Sequence, residues 1–165
     1  MFGKTDQGLR RKKNEDTILV NEAGGFCLVA DGIGGTAAGE IASRLFARTT
    51  QDIFSAAPDT EEMKYQSVQL AFLTANDRIL DYAEGHPGCE GMGCTAELLV
   101  LADSSFIIGH IGDSRIYYLP AREGGLRQIS QDDTYVGWLY RQGKLNERQA
   151  RDHPARNALQ KALGA

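Results

Sequence analysis

No apolar run in this sequence approaches the roughly 18 residues that a membrane-spanning helix needs, and charge begins as early as Lys4. A soluble, cytoplasmic protein without a membrane partner is therefore expected. Positive charge is scarce: 18 basic residues face 22 acidic ones, for a net charge of -4 at pH 7. That balance argues against a nucleic acid gripped by a strongly basic surface. The one basic cluster, Arg10, Arg11, Lys12 and Lys13, reads first as a solvated loop and second as a phosphate contact. Cysteine is sparse, with Cys27, Cys89 and Cys94 making an odd number without zinc-ligand spacing. Reduced thiols inside a cell follow more readily than a disulfide framework. Internal repeats are missing too, so residues 1–165, 42% hydrophobic, are expected to form a single domain with a real core.

What is present alternates between strand and helix character. The runs "TILV" (17–20) and "GFCLVA" (25–30), joined by "NEAGG", predict a hairpin. From Thr36 to about Phe54, alanines with Ile41, Leu45 and Phe46 recur at helical spacing, with Thr36 placed as a cap. A second helix is signalled by Asp59 and Glu62 after Pro58, followed by a stripe of Val68, Phe72, Ala75, Ile79 and Tyr82. Beyond the loop "EGHPGCEGMG", the runs "CTAELLVLA", "SFIIGHIG" and "RIYYLP" predict a three-stranded antiparallel meander. From Asp132 the composition is helical, through Val136, Leu139, Tyr140 and Ala150 to Leu159, Ala162 and Leu163. Strand runs separated by paired helices imply an α+β layered domain.

The stretch "VADGIGG" (29–35) admits several chemistries. Gly32, Gly34 and Ala37 fit G-x-G-x-x-A, with Asp52 about 20 residues on, as a nucleotide-binding domain would require. Against that, Asp31 would face an anionic pyrophosphate. A metal corner accounts for the aspartate directly, because strand-end carboxylates and glycine carbonyls are the hard oxygen ligands that Mg²⁺ and Mn²⁺ prefer. Glu15 and Asp16 in "KNED" stand at the mouth of the preceding strand, and Asp113 in "IGDSR" stands at another strand junction. Several carboxylates gathered at one rim repel one another unless cations lie between them.

Five segments in order, "TDQGLRRKKNED", "VADGIGGTAAGEIAS", "GMGCTAELLV", "GHIGDSRIYYL" and "HPARNALQKALG", resemble the motifs of PPM, or protein phosphatase 2C-like, metal-dependent Ser/Thr protein phosphatases of bacterial type. The resemblance spans nearly the whole chain. It implies an antiparallel β-sandwich flanked by helices on both faces, the four-layer αββα arrangement, here incomplete at the C-terminus. It implies two Mn²⁺ or Mg²⁺ ions, with Asp31 bridging both and Gly32 offering its carbonyl. Glu15 would help hold the second ion, Asp16 would orient metal-bound water, and Asp113 would serve a third, weaker metal. Arg11 matches the arginine that grips the substrate phosphate. The implied reaction is hydrolysis of phosphoserine and phosphothreonine in proteins by a metal-activated water, on substrates of a partner Ser/Thr kinase.

Some positions depart from the family pattern. Ile33 and Thr36 stand where the family often has a histidine able to act as general acid. His86, His110 and His153 read as structural, Asn14 as a loop-positioning residue, and Asp132, Asp133 and Thr134 carry no assigned role. The Ser-Asp-Gly and Asp-Asn motifs that complete the family's first metal shell do not occur before Ala165. The expectation is a fragment of a longer phosphatase, weak or inactive as this shortened chain, rather than a naturally short relative; a catalytically dead pseudophosphatase acting as a regulatory binding module and, remotely, a nucleotide-binding domain are the alternatives.

Overall fold

The computed structural model describes residues 1–34, 38–121 and 124–165. Strands β1 (Thr17–Asn21) and β2 (Phe26–Ala30) form the expected hairpin, in register from Thr17 against Ala30 to Asn21 against Phe26. Asn21 closes its turn, the Oδ1 accepting the Gly24 N–H at 2.8 Å, an Asx turn of the kind such sequences favour. A short β3 (Gly32–Ile33) leads into helices α1 (Gly39–Ala56) and α2 (Glu61–Gly85). The chain returns through β4 (Gly93–Cys94), β5 (Ala96–Leu101) and β6 (Phe106–Ile111). The main sheet has the order β1-β2-β5-β6, while β3 and β4 make a two-stranded annex. Every described strand pair is antiparallel.

One face of that sheet supplies the core. Phe26, Leu28 and Ala30 of β2 and Ala96, Leu98 and Val100 of β5 are buried against the helical layer. Phe26 meets Phe54 of α1 with ring centroids 4.7 Å apart, and Phe46 of α1 meets Phe72 of α2 at 5.2 Å. Each large apolar side chain so buried contributes about 1.5–3 kcal/mol. Val68, Ala75 and Ile79 of the predicted α2 stripe are buried, with Phe72 and Tyr82 packed at its margin. On the opposite face Val29, Leu101 and Phe106 are exposed.

Four local expectations are corrected. Thr60, not Asp59, caps α2: its backbone is the last extended residue, so its hydroxyl accepts the Met63 N–H, and Asp59 pairs with Lys64 at 2.8 Å instead. Helix α1 is described from Gly39 with Ala38 as its cap residue, and Thr36 lies outside the described residues. The third strand of the predicted meander does not continue the main sheet. Strand β7 (Tyr117–Tyr118) pairs instead with β8 (Arg127–Gln128), because the chain turns at Gly112, φ +111°, and is tied across to Ser130 by the Ile116 N–H. Finally, helix ends after α3 (Tyr135–Arg141) and α4 (Glu147–Asp152). Leu159 and Leu163 then form bridges with Thr134 and Cys94 rather than a helical stripe.

Candidate active site

Register builds the site. Thr17 faces Ala30 across the hairpin, so the next residues outward, Asp16 and Asp31, come together at the strand ends. Their carboxyl groups share a hydrogen bond, and Asp31 is also under the field of Asp113, just past the end of β6. Its pKa is raised to about 6, first by burial, then by the charge and hydrogen bond of Asp16 and by Asp113, with Arg11 acting in the opposite sense. The carboxylate edge remains open to solvent, recessed rather than enclosed. Four of the expected site residues, Arg11, Asp16, Asp31 and Asp113, thus converge from three separated stretches of chain.

Glu15 and Gly32 join the corner through their backbones. Ser43 of α1, fully buried, donates its hydroxyl to the Glu15 carbonyl at 2.7 Å and lies 2.8 Å from the Thr17 hydroxyl. A Cβ on Gly32 would come within 2.7 Å of that same Glu15 carbonyl and collide with the backbone of Gly39. Glycine is thus required at residue 32 because three backbone segments cross there. Asn14 does position its loop, donating to Thr5 Oγ1 at 2.8 Å and accepting the Asp16 N–H at 3.1 Å.

The nucleotide-binding reading fails on this geometry. Its fingerprint needs a parallel strand-helix-strand unit, whereas the strands here are antiparallel. Asp52 lies within α1 and pairs with Arg78 of α2 at 3.2 Å rather than standing at a strand end. Ala37 falls outside the described residues.

A hard divalent cation fits the rim. Asp31 and Asp16 are oxygen donors whose mutual repulsion a cation would relieve, and oxygen donors suit Mg²⁺ or Mn²⁺. The main-chain oxygen of Asp31 is already taken by the Thr95 N–H at 2.9 Å, which leaves its carboxylate as the free donor. Among the described residues no three His, Cys, Asp or Glu side chains form a ready-made ligand group. Asp16 and Asp31 are the pair in direct contact, with Asp113 acting across space. Asp113 also stands on the wall of an open cleft of about 940 Å³ lined by Arg141 and Arg156.

Several contributors escaped the sequence reading. Asp133 clamps the turn before Asp113: its N–H donates to the Gly112 carbonyl at 2.7 Å and its carboxylate accepts the Gly112 N–H at 3.3 Å. Asp132 takes a two-pronged hydrogen bond from Arg115, and Thr134 caps α3. Only Thr134 had a legible signal, a hydroxyl just ahead of an apolar helical run. Each histidine has partners within the fold. His86 stacks on Tyr82, His153 accepts the Ala155 N–H, and His110 bridges Glu97 and the Gln131 carbonyl.

The family model described as Protein phosphatase 2C matches residues 10–153. The chain belongs to this family. Among protein phosphatase 2C relatives, the Ser/Thr protein phosphatase PstP of Mycobacterium tuberculosis is 37% identical over 160 residues, covering 97% of this chain and 30% of the relative. The Ser/Thr phosphatase stp of Listeria innocua is 35% identical over 166 residues, covering 98% of this chain and 65% of the relative. The crystal structure of the Mycobacterium tuberculosis phosphatase PstP/Ppp superposes with a TM-score of 0.86 at 34% identity, over 98% of this chain and 66% of that one. A catalytic domain of PstP in complex with two manganese ions superposes with a TM-score of 0.82 at 33% identity, over 98% and 65%. The α+β architecture with antiparallel sheets is thus that of PPM phosphatases, and the chain spans about one third to two thirds of these curated relatives. Among the described residues no helix is long and apolar enough to cross a membrane.

Proposed function

We propose that residues 1–165 form the N-terminal portion of a single PPM-type domain that hydrolyses phosphoserine and phosphothreonine in proteins. One observation carries this reading: Asp16, Asp31 and Asp113 gather at one sheet end with Arg11 beside them, an arrangement unfavourable without a cation. The names of the relatives support it. Asp31, Asp16 and the Gly32 carbonyl would hold Mn²⁺ or Mg²⁺, with Glu15 reaching the second ion through water and Asp113 serving a weaker third. Bound divalent ions would lower the pKa of a water toward neutrality and offset charge developing on the phosphoryl group. With those ions bound, the Asp16 carboxylate would orient the attacking water. Arg11 presents a planar fork that holds two phosphate oxygens in line for displacement. The adjacent cleft offers room for the polypeptide that carries the phosphate. A Ser/Thr kinase would supply such substrates, and the three free thiols suit a reducing cytoplasm.

The test is phosphate release from a phosphothreonine peptide, with and without added Mn²⁺. Turnover is expected to be weak, to require the metal, and to drop at least roughly 100-fold in Asp31→Asn, as removal of a metal-holding carboxylate does. Metal-independent turnover that survives the substitution would overturn the reading. Phosphopeptide binding with no turnover at any Mn²⁺ level would favour the regulatory binding module, whose motivating feature is Ile33 at a place where the family often has histidine.

A further inference from the structure

The carboxylate rim depends on a residue between its two halves. Extending the pairing of β2 with β5 outward places Thr95 opposite Asp31, and extending that of β5 with β6 places Thr95 opposite Gly112. Thr95 is only 1% exposed. It holds Asp31 from both sides of the peptide: Thr95 Oγ1 accepts the Asp31 N–H at 3.0 Å, and the Thr95 N–H donates to the Asp31 carbonyl at 2.9 Å. The same hydroxyl lies 2.8 Å from Ser114 Oγ, in a hydrogen bond that either can donate. Ser114 follows Asp113 directly. Gly112, on the other side of Asp113, packs so closely that a Cβ there would come within 2.7 Å of Thr95 Cβ and Cγ2.

We propose that Thr95, with Ser114, is a positioning residue that sets the spacing between the Asp31 corner and the Asp113 turn. The inference rests on the metal-dependent reading above and adds the element that holds its ligands at a fixed separation. A hydroxyl is suited to the task because it accepts from one backbone while keeping its own proton for a second partner. Valine has the same shape without that capacity, so Thr95→Val removes the bridge while filling the space. Serine retains it.

Calorimetric titration with Mn²⁺ of the unaltered chain, Thr95→Val and Thr95→Ser tests the proposal, together with amide hydrogen exchange. Thr95→Val is expected to weaken Mn²⁺ binding roughly 10- to 100-fold, the usual effect of losing an outer-shell partner. Exchange at the Asp31 amide should quicken while the Leu28 amide, inside β2, stays protected. Thr95→Ser should restore both readouts. If the unaltered chain binds Mn²⁺ and Thr95→Val binds it equally, the positioning role is overturned while the hydrolase reading stands. If the unaltered chain binds none, the metal reading falls and takes this role with it. Should Thr95→Val not fold, Ser114→Ala carries the test, since it deletes the same bridge from the more exposed side. Mn²⁺ affinity unchanged in Ser114→Ala would then overturn the proposal.

Discussion

Asp31 keeps its proton to about 6 because it is partly buried beside Asp16 and Asp113. The consequence for stability has a definite sign. A carboxyl whose folded pKa is raised binds its proton more tightly in the folded state, so without metal the fold loses stability as pH rises from the unfolded value through about 6. Asp31→Asn should therefore be more stable than the unaltered chain near neutral pH without metal, by about 1 kcal/mol after solvent screening. Urea unfolding with chelator present measures this, and a variant less stable at that pH would contradict it. Arg11 acts on the same site by shape as well as charge. Arg11→Lys keeps the charge and loses the fork, so kcat/KM on a phosphopeptide should fall roughly 10- to 100-fold. A change below twofold would remove Arg11 from phosphate binding.

Elements bring these residues together through a few crossings. Helix α1 is stitched to the start of β1 by Ser43, whose hydroxyl reaches both Glu15 and Thr17. Ser43→Ala leaves a half-buried carbonyl and hydroxyl short of a partner and should cost about 1 kcal/mol in denaturant unfolding. Gly112→Ala would press a methyl group into Thr95 at a positive φ, and should lower the melting temperature by several degrees. The β1–β2 hairpin and α2 were legible because each obeys one strong period, two or 3.6, over its length. The fate of "RIYYLP" was not. Its alternation is that of a strand, yet whether it joins β6 or turns to meet β8 is decided by Gly112, Ser130 and Asp133, which lie up to roughly 20 residues apart and leave no periodic trace. The end of the chain misled for a related reason: Leu159, Ala162 and Leu163 have helical spacing, but Leu159 and Leu163 are held by bridges to Thr134 and Cys94.

At the scale of the whole molecule, a charged network ties the sheet to the segment that follows it. His110 of β6 faces the Glu97 carboxylate at 2.8 Å through Nδ1 and the Gln131 carbonyl at 2.7 Å through Nε2. Both ring nitrogens meet acceptors, which favours the doubly protonated imidazolium. Its pKa is raised chiefly by the Glu97 hydrogen bond, with Asp133 adding to it, while Glu97 itself is raised by burial. A raised histidine stabilises the fold below its unfolded value and loses that contribution as pH rises through the folded one. Unfolding free energy should decline across that window, and His110→Gln should flatten the decline. The site was more legible than this network, because acids at strand ends stand out in sequence, whereas Thr95, Ser114 and Asp133 look like ordinary strand and turn residues. The most direct test of the account is electron paramagnetic resonance of Mn²⁺ titrated into the chain near neutral pH. Saturable loss of the free Mn²⁺ signal, abolished by Asp31→Asn, is the expected result; equal uptake by both proteins would contradict the claim that the gathered carboxylates are a metal site.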